Sequence, residues 1–272
     1  MPELPEVETV ARGLRKKAVG HKIKKLVLHR GSLRFPFPPT MAMDVEGQKI
    51  TSIDRRSKYI LMNLKDGGKI LLHLGMSGRL FFHADDYKPV KHDHVQFYLD
   101  NGTCLIFNDA RRFGVLDYLP PKTKTHKLLD NIGIDPFDET ITPQWLFEKF
   151  KTRKTPLKNL LMDQKIIAGL GNIYVCEALY DAKIWPERLG STVTLAEMKK
   201  LVPAIRKVLN AAIDAGGSSL RDYIQTDGEM GYFQDKFKVY GREGKPCLRD
   251  KTPIERIVQQ GRSTFACPHC QK

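Results

Sequence analysis

His94-Val95-Gln96-Phe97-Tyr98-Leu99-Asp100-Asn101-Gly102-Thr103-Cys104-Leu105-Ile106-Phe107-Asn108 is the stretch that decides the fold. Two apolar runs rich in β-branched and aromatic residues flank Asn101-Gly102, a pair suited to the positive-φ positions of a tight turn. The segment therefore predicts a hairpin of two antiparallel strands, His94–Leu99 and Thr103–Asn108. Working outward, Lys22–His29, Tyr59–Leu64, Lys69–His83 and Gly114–Leu119 read as further strands separated by Gly, Pro and polar turns. Several short strands punctuated in this way predict an antiparallel sandwich or barrel. Ahead of them, Val7, Val10, Ala11 and Leu14 fall at helical spacing, so residues 4–17 predict one amphipathic helix. Pro120-Pro121 and the lysine-rich stretch after it mark the exit from this region.

The second half reads helical. Thr142-Pro143 and Thr155-Pro156 each predict an N-cap followed by a first-turn proline. Asn172 caps a helix running to about Tyr180, and Thr194-Leu195-Ala196-Glu197 has capping-box form, its helix ending at Gly216-Gly217. Residues 218–237 are polar and glycine-containing, the composition of a loop. Beyond them, Glu255–Val258 and Ser263–Ala266 predict two strands joined through Gln259-Gln260-Gly261-Arg262. The expected class is α+β, with a first domain at 1–131, a helical domain at 132–237 and a small ribbon-like module at 238–272.

Of the 272 residues, 45 are Lys or Arg and 31 Asp or Glu, a formal charge of +14 spread along the chain. A folded protein with this surplus is expected to meet a polyanion, nucleic acid first. No run of 18 apolar residues exists and the opening segment is too polar for a signal peptide, so the expectation is a cytosolic protein with no membrane partner. Of five cysteines, Cys104 and Cys176 sit in apolar runs and read as buried thiols. An odd count in a reducing compartment argues against a disulfide framework and toward metal. Cys247, Asp250, Cys267 and Cys270 follow the spacing of a four-ligand zinc ribbon in which an aspartate replaces one thiolate. His269 lies inside the second knuckle and is not counted among the ligands.

Three further constellations carry chemistry. Removal of Met1 would leave Pro2 as an N-terminal secondary amine beside Glu3, able to attack an aldehyde-level carbon and form a cationic iminium, the chemistry of Schiff-base lyases. The same residues also suit a helix start, where proline is pre-organised and acidic side chains meet the positive end of the dipole. Gly169-Leu170-Gly171-Asn172 at a helix entry forms an anion site suited to a phosphate, or an ordinary tight turn. Asp109-Ala110-Arg111-Arg112-Phe113-Gly114 sets two arginines and an aromatic between strands, where protruding side chains can enter a duplex.

Together these motifs resemble the formamidopyrimidine-DNA glycosylases, also called MutM, along essentially the full chain. The resemblance rests on Pro2-Glu3-Leu4-Pro5-Glu6-Val7-Glu8-Thr9, Lys58-Tyr59, His73-Leu74-Gly75-Met76-Ser77-Gly78, Lys91-His92-Asp93-His94, Arg111-Arg112-Phe113-Gly114, Gly169-Leu170-Gly171-Asn172-Ile173-Tyr174 and the Cys-terminated ribbon. It implies an N-terminal antiparallel β-sandwich with a catalytic N-terminal helix, a helix–two-turns–helix domain and a zinc-ribbon-like hairpin. It also implies a monomeric bifunctional glycosylase and lyase of base excision repair, acting on 8-oxoguanine and formamidopyrimidines in duplex DNA at the nucleoid, with one zinc ion. By the same analogy Pro2 is the nucleophile, Glu3 the acid–base residue and Glu6 its support. Lys58 and Arg262 are tied to the two eliminations, although both are equally suited to clamp phosphates. His73, His92, Lys154 and Asn172 match DNA-contact positions, and Met76, Arg111 and Phe113 match the triad that fills the gap left by the flipped base. The 218–232 segment matches a loop that folds over that base. Two rival readings are an endonuclease VIII-like enzyme for oxidised pyrimidines and a non-catalytic protein that binds damaged DNA. Leu4 and the Arg111-Arg112-Phe113 run favour the purine enzyme over the first. Pro2, Glu3 and Glu6 together argue against the second.

Overall fold

The structure is a computed structural model that describes residues 2–218, 226 and 231–272. Helix α1 (Leu4–Ala18) opens the chain because its sequence caps itself: Glu3 is the N-cap, Pro5 lies in the first turn, and the Glu6 carboxyl group accepts the Glu3 N–H at 2.9 Å. Its apolar face, Leu4, Val7, Val10, Ala11, Leu14 and Ala18, is buried. Strand β1 (Ile23–Leu28) and the short helix α2 (Met41–Val45) follow.

Seven more strands complete this part: β2 (Ile50–Arg56), β3 (Tyr59–Leu64), β4 (Lys69–His73), β5 (Arg79–Ala84), β6 (Asp93–Leu99), β7 (Thr103–Asn108) and β8 (Val115–Leu119). They form two four-stranded antiparallel sheets, ordered β1-β6-β7-β5 and β2-β3-β4-β8. One core holds both sheets and α1 together, through Val10, Leu14, Ile60, Leu72, Phe97 and Phe107 among others. The β6–β7 hairpin turns at Asn101-Gly102 with Gly102 at φ 77°, as the sequence predicts.

The run Lys69–His83, expected as one strand, is two. The chain leaves the second sheet after His73 and enters the first at Arg79, turning through Leu74–Gly78 with Gly75 at φ 60°. A second switch lies between β7 and β8, at residues 109–114. Arg15, meanwhile, donates to Ile53 O at 2.7 Å and to Glu8 at 2.8 Å, and Arg55 donates to Glu8 at 2.9 Å, which fastens α1 to the β2–β3 hairpin.

The chain separates into two compact units, Met1–Asp130 with Ala215–Tyr232, and Asn131–Asp214 with Phe233–Lys272. The second contains α3 (Pro143–Phe150), α4 (Leu157–Met162), α5 (Asn172–Ala182), α6 (Leu195–Asp214) and the hairpin β9 (Glu255–Gln259)–β10 (Arg262–Ala266). Thr142 caps α3 as expected, its hydroxyl accepting Trp145 N–H at 3.1 Å. The cap of α4 is Pro156 rather than Thr155, and that of α5 is Gly171 rather than Asn172. A small core of Cys176, Tyr180, Val239, Cys247, Ile254, Phe265 and Cys267 seats the ribbon on α5. No helix among the described residues is long and apolar enough to cross a membrane.

Candidate active site

In the first unit, Pro2 is buried and directly precedes the Glu3 cap, while Met1 lies outside the described residues. Glu3 and Glu6 are 5% and 2% exposed. Glu6 does more than cap the helix. Its second oxygen accepts the Ser218 N–H at 2.8 Å and the Ser218 hydroxyl at 3.0 Å. Ser218 in turn pairs with Tyr232, and Tyr232 N–H donates to Ala215 O at 3.1 Å. One carboxyl group therefore joins the start of α1 to the pinched base of the 218–232 segment. Of that segment only Ser218, Thr226, Gly231 and Tyr232 are described; the expected loop over an everted base otherwise lies outside the described residues.

Lys58 sits in the two-residue turn of the β2–β3 hairpin, beside Ser57 at φ 57°, and is 7% exposed. Its neighbour Tyr59 pairs with His73 across β3 and β4, their rings 4.7 Å apart. Burial, together with the charges of Lys58 and Arg34, pushes the His73 pKa down to about 4. The ring is thus neutral near pH 7. Gly75 N–H donates to its Nδ1 at 3.0 Å, which leaves the proton on Nε2 and makes that atom a donor.

The two sheet-switching corners carry the three residues expected to fill the gap left by a flipped base. Met76 is half-buried on the first; Arg111 and Phe113 project from the second, Phe113 with 45% of its surface exposed. The Arg111 guanidinium lies 5.0 Å from the centre of the Phe113 ring. A Cβ on Gly75 would stand 2.4 Å from the Phe113 carbonyl carbon, so only glycine lets the corners touch. His92, half-buried with φ 76°, accepts the Asp109 N–H through its carbonyl at 3.0 Å.

In the second unit, Lys154 is exposed in the α3–α4 connection. The Gly169–Gly171 entry to α5 is braced by Gln164, which accepts Gly169 N–H at 2.8 Å and donates to Leu170 O at 2.7 Å. The Asn172 amide donates to Ser263 O at 2.8 Å and so ties α5 to the hairpin. Lys158, fully buried, donates from Nζ to Thr264 Oγ1 at 2.5 Å, and Thr264 donates to Gln259 at 2.9 Å. These bonds fix the two strands beneath the exposed tip, where Gln260 and Gly261 take φ of 49° and 72° and Arg262 opens β10.

Cys247, Asp250, Cys267 and Cys270 converge, their ligand atoms all within 4.8 Å of one another. The Cys247 and Cys270 sulfurs are 3.8 Å apart, matching the spacing of about 3.8 Å expected between thiolates on one tetrahedral zinc. Backbone N–H groups of Arg249 and Cys270 donate to the Cys247 and Cys267 sulfurs at 3.4 and 3.3 Å, an arrangement that suits thiolate ligands. Asp250 stands where its carboxyl group reaches Cys270 Sγ at 2.9 Å, and His269 Nδ1 bonds Oδ2 of the same carboxyl group at 2.7 Å. The donor set fits one zinc ion with three sulfur ligands and one oxygen.

Comparison with known proteins matches the formamidopyrimidine-DNA glycosylase N-terminal domain over residues 1–116. It also matches that family's H2TH domain over 132–224 and the zinc finger found in FPG and IleRS over 244–272. The chain belongs to the formamidopyrimidine-DNA glycosylase family. Members of that name from Cereibacter sphaeroides and Paracoccus denitrificans are 49% and 50% identical, with each chain covered in full. Among solved structures, the MutM (Fpg) protein of Thermus thermophilus superposes with TM-score 0.87 at 40% identity, covering 99% of this chain and 98% of that one. A complex of Lactococcus lactis Fpg with DNA containing an abasic site gives 0.89 at 34%, covering both chains in full.

Pro2, Glu3, Glu6, Lys58, His73, Met76, His92, Arg111 and Phe113 all fall in the first unit of this glycosylase-family chain, and Lys154, Asn172, Arg262 and the metal cluster in the second. Sequence reasoning missed the residues that hold these in place: Asp109, Ser77, Ser218, Gln164, Lys158 and Glu177. Glu177 is buried, and its carboxyl group accepts the N–H groups of Val239 and Tyr240 at 3.0 and 2.9 Å, anchoring the approach to the ribbon. Burial pushes its pKa up against the opposing pull of those donors. Polar side chains of this kind read as solvated in a sequence. Only their distant partners bury them.

Proposed function

We propose that the protein is a bifunctional DNA glycosylase and abasic-site lyase of base excision repair that removes oxidised purines, 8-oxoguanine and formamidopyrimidines, from duplex DNA. The single observation that carries this reading is the mounting of Pro2. It immediately precedes a helix start whose Glu3 and Glu6 are buried and mutually bonded, in a chain belonging to a family named for this activity.

In this reading Met1 is removed and the Pro2 nitrogen attacks C1′ of the damaged nucleotide. The glycosidic bond breaks and the base leaves with its electron pair and a proton. The sugar ring opens with proton transfer through Glu3, giving an iminium on Pro2. Loss of a C2′ proton into that electron sink expels the 3′ phosphate, and a second elimination expels the 5′ phosphate. Neutral His73, Lys58, Lys154 and Arg262 hold the backbone phosphates, joined by His92 and the N-terminus of α5 at Asn172. Met76, Arg111 and Phe113 fill the vacated stack, Arg111 meeting the acceptor edge of the orphaned cytosine. Zinc on Cys247, Asp250, Cys267 and Cys270 would cross-link the ribbon that presents Arg262. The protein acts as a monomer on chromosomal DNA in the bacterial cytosol.

The reading is tested with an end-labelled duplex carrying 8-oxoguanine opposite cytosine. The expected product is a one-nucleotide gap with phosphate at both ends. Intact strand after prolonged incubation, or cleavage confined to oxidised-pyrimidine duplexes, would overturn it.

A further inference from the structure

Asp109 is fully buried between the two corners that carry the wedge residues. Its Oδ1 accepts the Ser77 hydroxyl at 2.6 Å and the Arg111 N–H at 3.3 Å, and its Oδ2 accepts the Gly114 N–H at 2.7 Å. Its backbone is held as firmly: Asp109 N–H donates to His92 O at 3.0 Å, Arg112 N–H donates to Asp109 O at 3.3 Å, and His94 Nε2 bonds the same oxygen at 2.9 Å. The Ser77 hydroxyl oxygen also receives Arg111 N–H at 3.1 Å. One side chain thereby binds both ends of the 109–114 corner and, through Ser77, the corner that follows β4. Met76 is adjacent to Ser77, Arg111 is itself a donor to Asp109, and Phe113 adjoins Gly114. Every member of the triad is therefore bonded to Asp109 or is next in sequence to a residue that is.

We propose that Asp109 is the positioning residue that locks Met76, Arg111 and Phe113 into a single geometry, and that it thereby sets discrimination of the base opposite the lesion. The proposal rests on the glycosylase reading for the meaning of the triad. Arg111 and Phe113 are exposed, so their aim comes from the backbone beneath them. A guanidinium that must present donors to one base edge tolerates little drift, because a displaced fork pairs no better with cytosine than with adenine. All three side-chain contacts of Asp109 come from donors, so an amide in its place turns an NH2 toward at least one of them.

The test uses the full-length chain as Asp109→Asn and Ser77→Ala, with Val45→Ala, a core truncation remote from the wedge, as a stability control. Single-turnover excision of 8-oxoguanine is compared opposite cytosine and opposite adenine. In Asp109→Asn the cytosine preference should fall by about tenfold, the equivalent of one lost hydrogen-bond contribution. Ser77→Ala should fall in the same direction by less, and Val45→Ala should keep the wild-type ratio whatever its melting temperature. Borohydride trapping on a preformed abasic site should stay at the wild-type rate in Val45→Ala. In parallel, a fluorescent cytosine analogue opposite a tetrahydrofuran abasic analogue reports wedge insertion without any excision. Its change on binding should be large for wild type and Val45→Ala and largely lost for Asp109→Asn. A preserved base ratio and a preserved fluorescence change in folded Asp109→Asn and Ser77→Ala would overturn the clamp. Failure of wild type to excise, with the fluorescence change still dependent on Asp109, would overturn the glycosylase reading and leave the clamp standing.

Discussion

Glu6→Gln isolates the junction between the catalytic helix and the 218–232 segment. The wild-type carboxyl group serves three buried donors with two oxygens: Oε2 takes the Glu3 N–H at 2.9 Å, and Oε1 takes the Ser218 N–H at 2.8 Å and its hydroxyl at 3.0 Å. Glutamine has nearly the same shape but only one oxygen. Whichever way the amide turns, either the Glu3 or the Ser218 backbone N–H faces an NH2 group; the Ser218 hydroxyl can rotate and accept, but a backbone N–H cannot. Depriving a buried donor of its acceptor costs about 1–3 kcal/mol. Taking ~2 kcal/mol, melting should fall by roughly 4–8 °C for a unit of this size. Ser218→Ala removes only the hydroxyl bond and should cost ~1 kcal/mol or less. The assay is thermal unfolding at pH 7 by far-ultraviolet circular dichroism, with borohydride trapping on an abasic duplex run on the same samples. Glu6→Gln should lose both stability and trapping rate, because the same bond sets the Glu3 backbone beside Pro2. A variant that melts with wild type and traps at the wild-type rate would refute the reasoning.

Other consequences follow from the remaining residues. His73 has a folded pKa of about 4 against an ordinary 6.5, so its contribution to stability is complete above pH 6.5 and is lost as pH falls toward 4. Urea titrations should show His73→Gln losing less stability than wild type across that window; parallel losses would contradict the assignment. The proposed phosphate contact of His73 comes from a neutral ring, so His73→Gln should weaken DNA binding without altering its salt dependence. Arg262→Ala, by contrast, should reduce the slope of log affinity against log salt by about 0.9. Elemental analysis should find one zinc per chain in the wild type, lost to chelator sooner than from Asp250→Cys, because a thiolate binds zinc more tightly than a carboxylate does. Zinc present only in Asp250→Cys would show that Asp250 is not a ligand.

Much of this architecture is written locally. The β3 bounds follow from alternation and those of β7 from a continuous apolar run, and Asn101-Gly102 marks the turn of the β6–β7 hairpin, where Gly102 takes the positive φ that few residues tolerate. Three features are not local. Strand β2 buries Ile50 and Ile53 while most of its other positions face outward at a sheet edge, so its polar sequence hides it. The break after His73 is a change of sheet, which no periodicity records. The α5 cap falls at Gly171 because the Asn172 side chain is bonded to Ser263, distant in sequence.

The candidate site divides in the same way. Residues matching family motifs are legible because their types carry chemistry: a proline amine, a carboxyl group, a guanidinium. The residues that aim them are ordinary in type. Asp109 beside two arginines reads as a solvated turn until Ser77 and Gly114 close over it, and Ser218 reads as loop until Glu6 claims it. Cys247, Cys267 and Cys270 announce a metal by spacing, whereas the fitness of Asp250 as the fourth donor emerges only when its carboxyl group reaches the sulfurs.

The central claim is that Pro2 is the nucleophile, and one measurement meets it directly. The protein is incubated with a duplex containing 8-oxoguanine opposite cytosine in the presence of borohydride, and the adduct is digested and mapped by mass spectrometry. The account predicts a reduced sugar–peptide linkage on the Pro2 nitrogen, in chains that begin at Pro2, and loss of that adduct in Pro2→Gly. An adduct on a lysine, or undiminished trapping by Pro2→Gly, would contradict it.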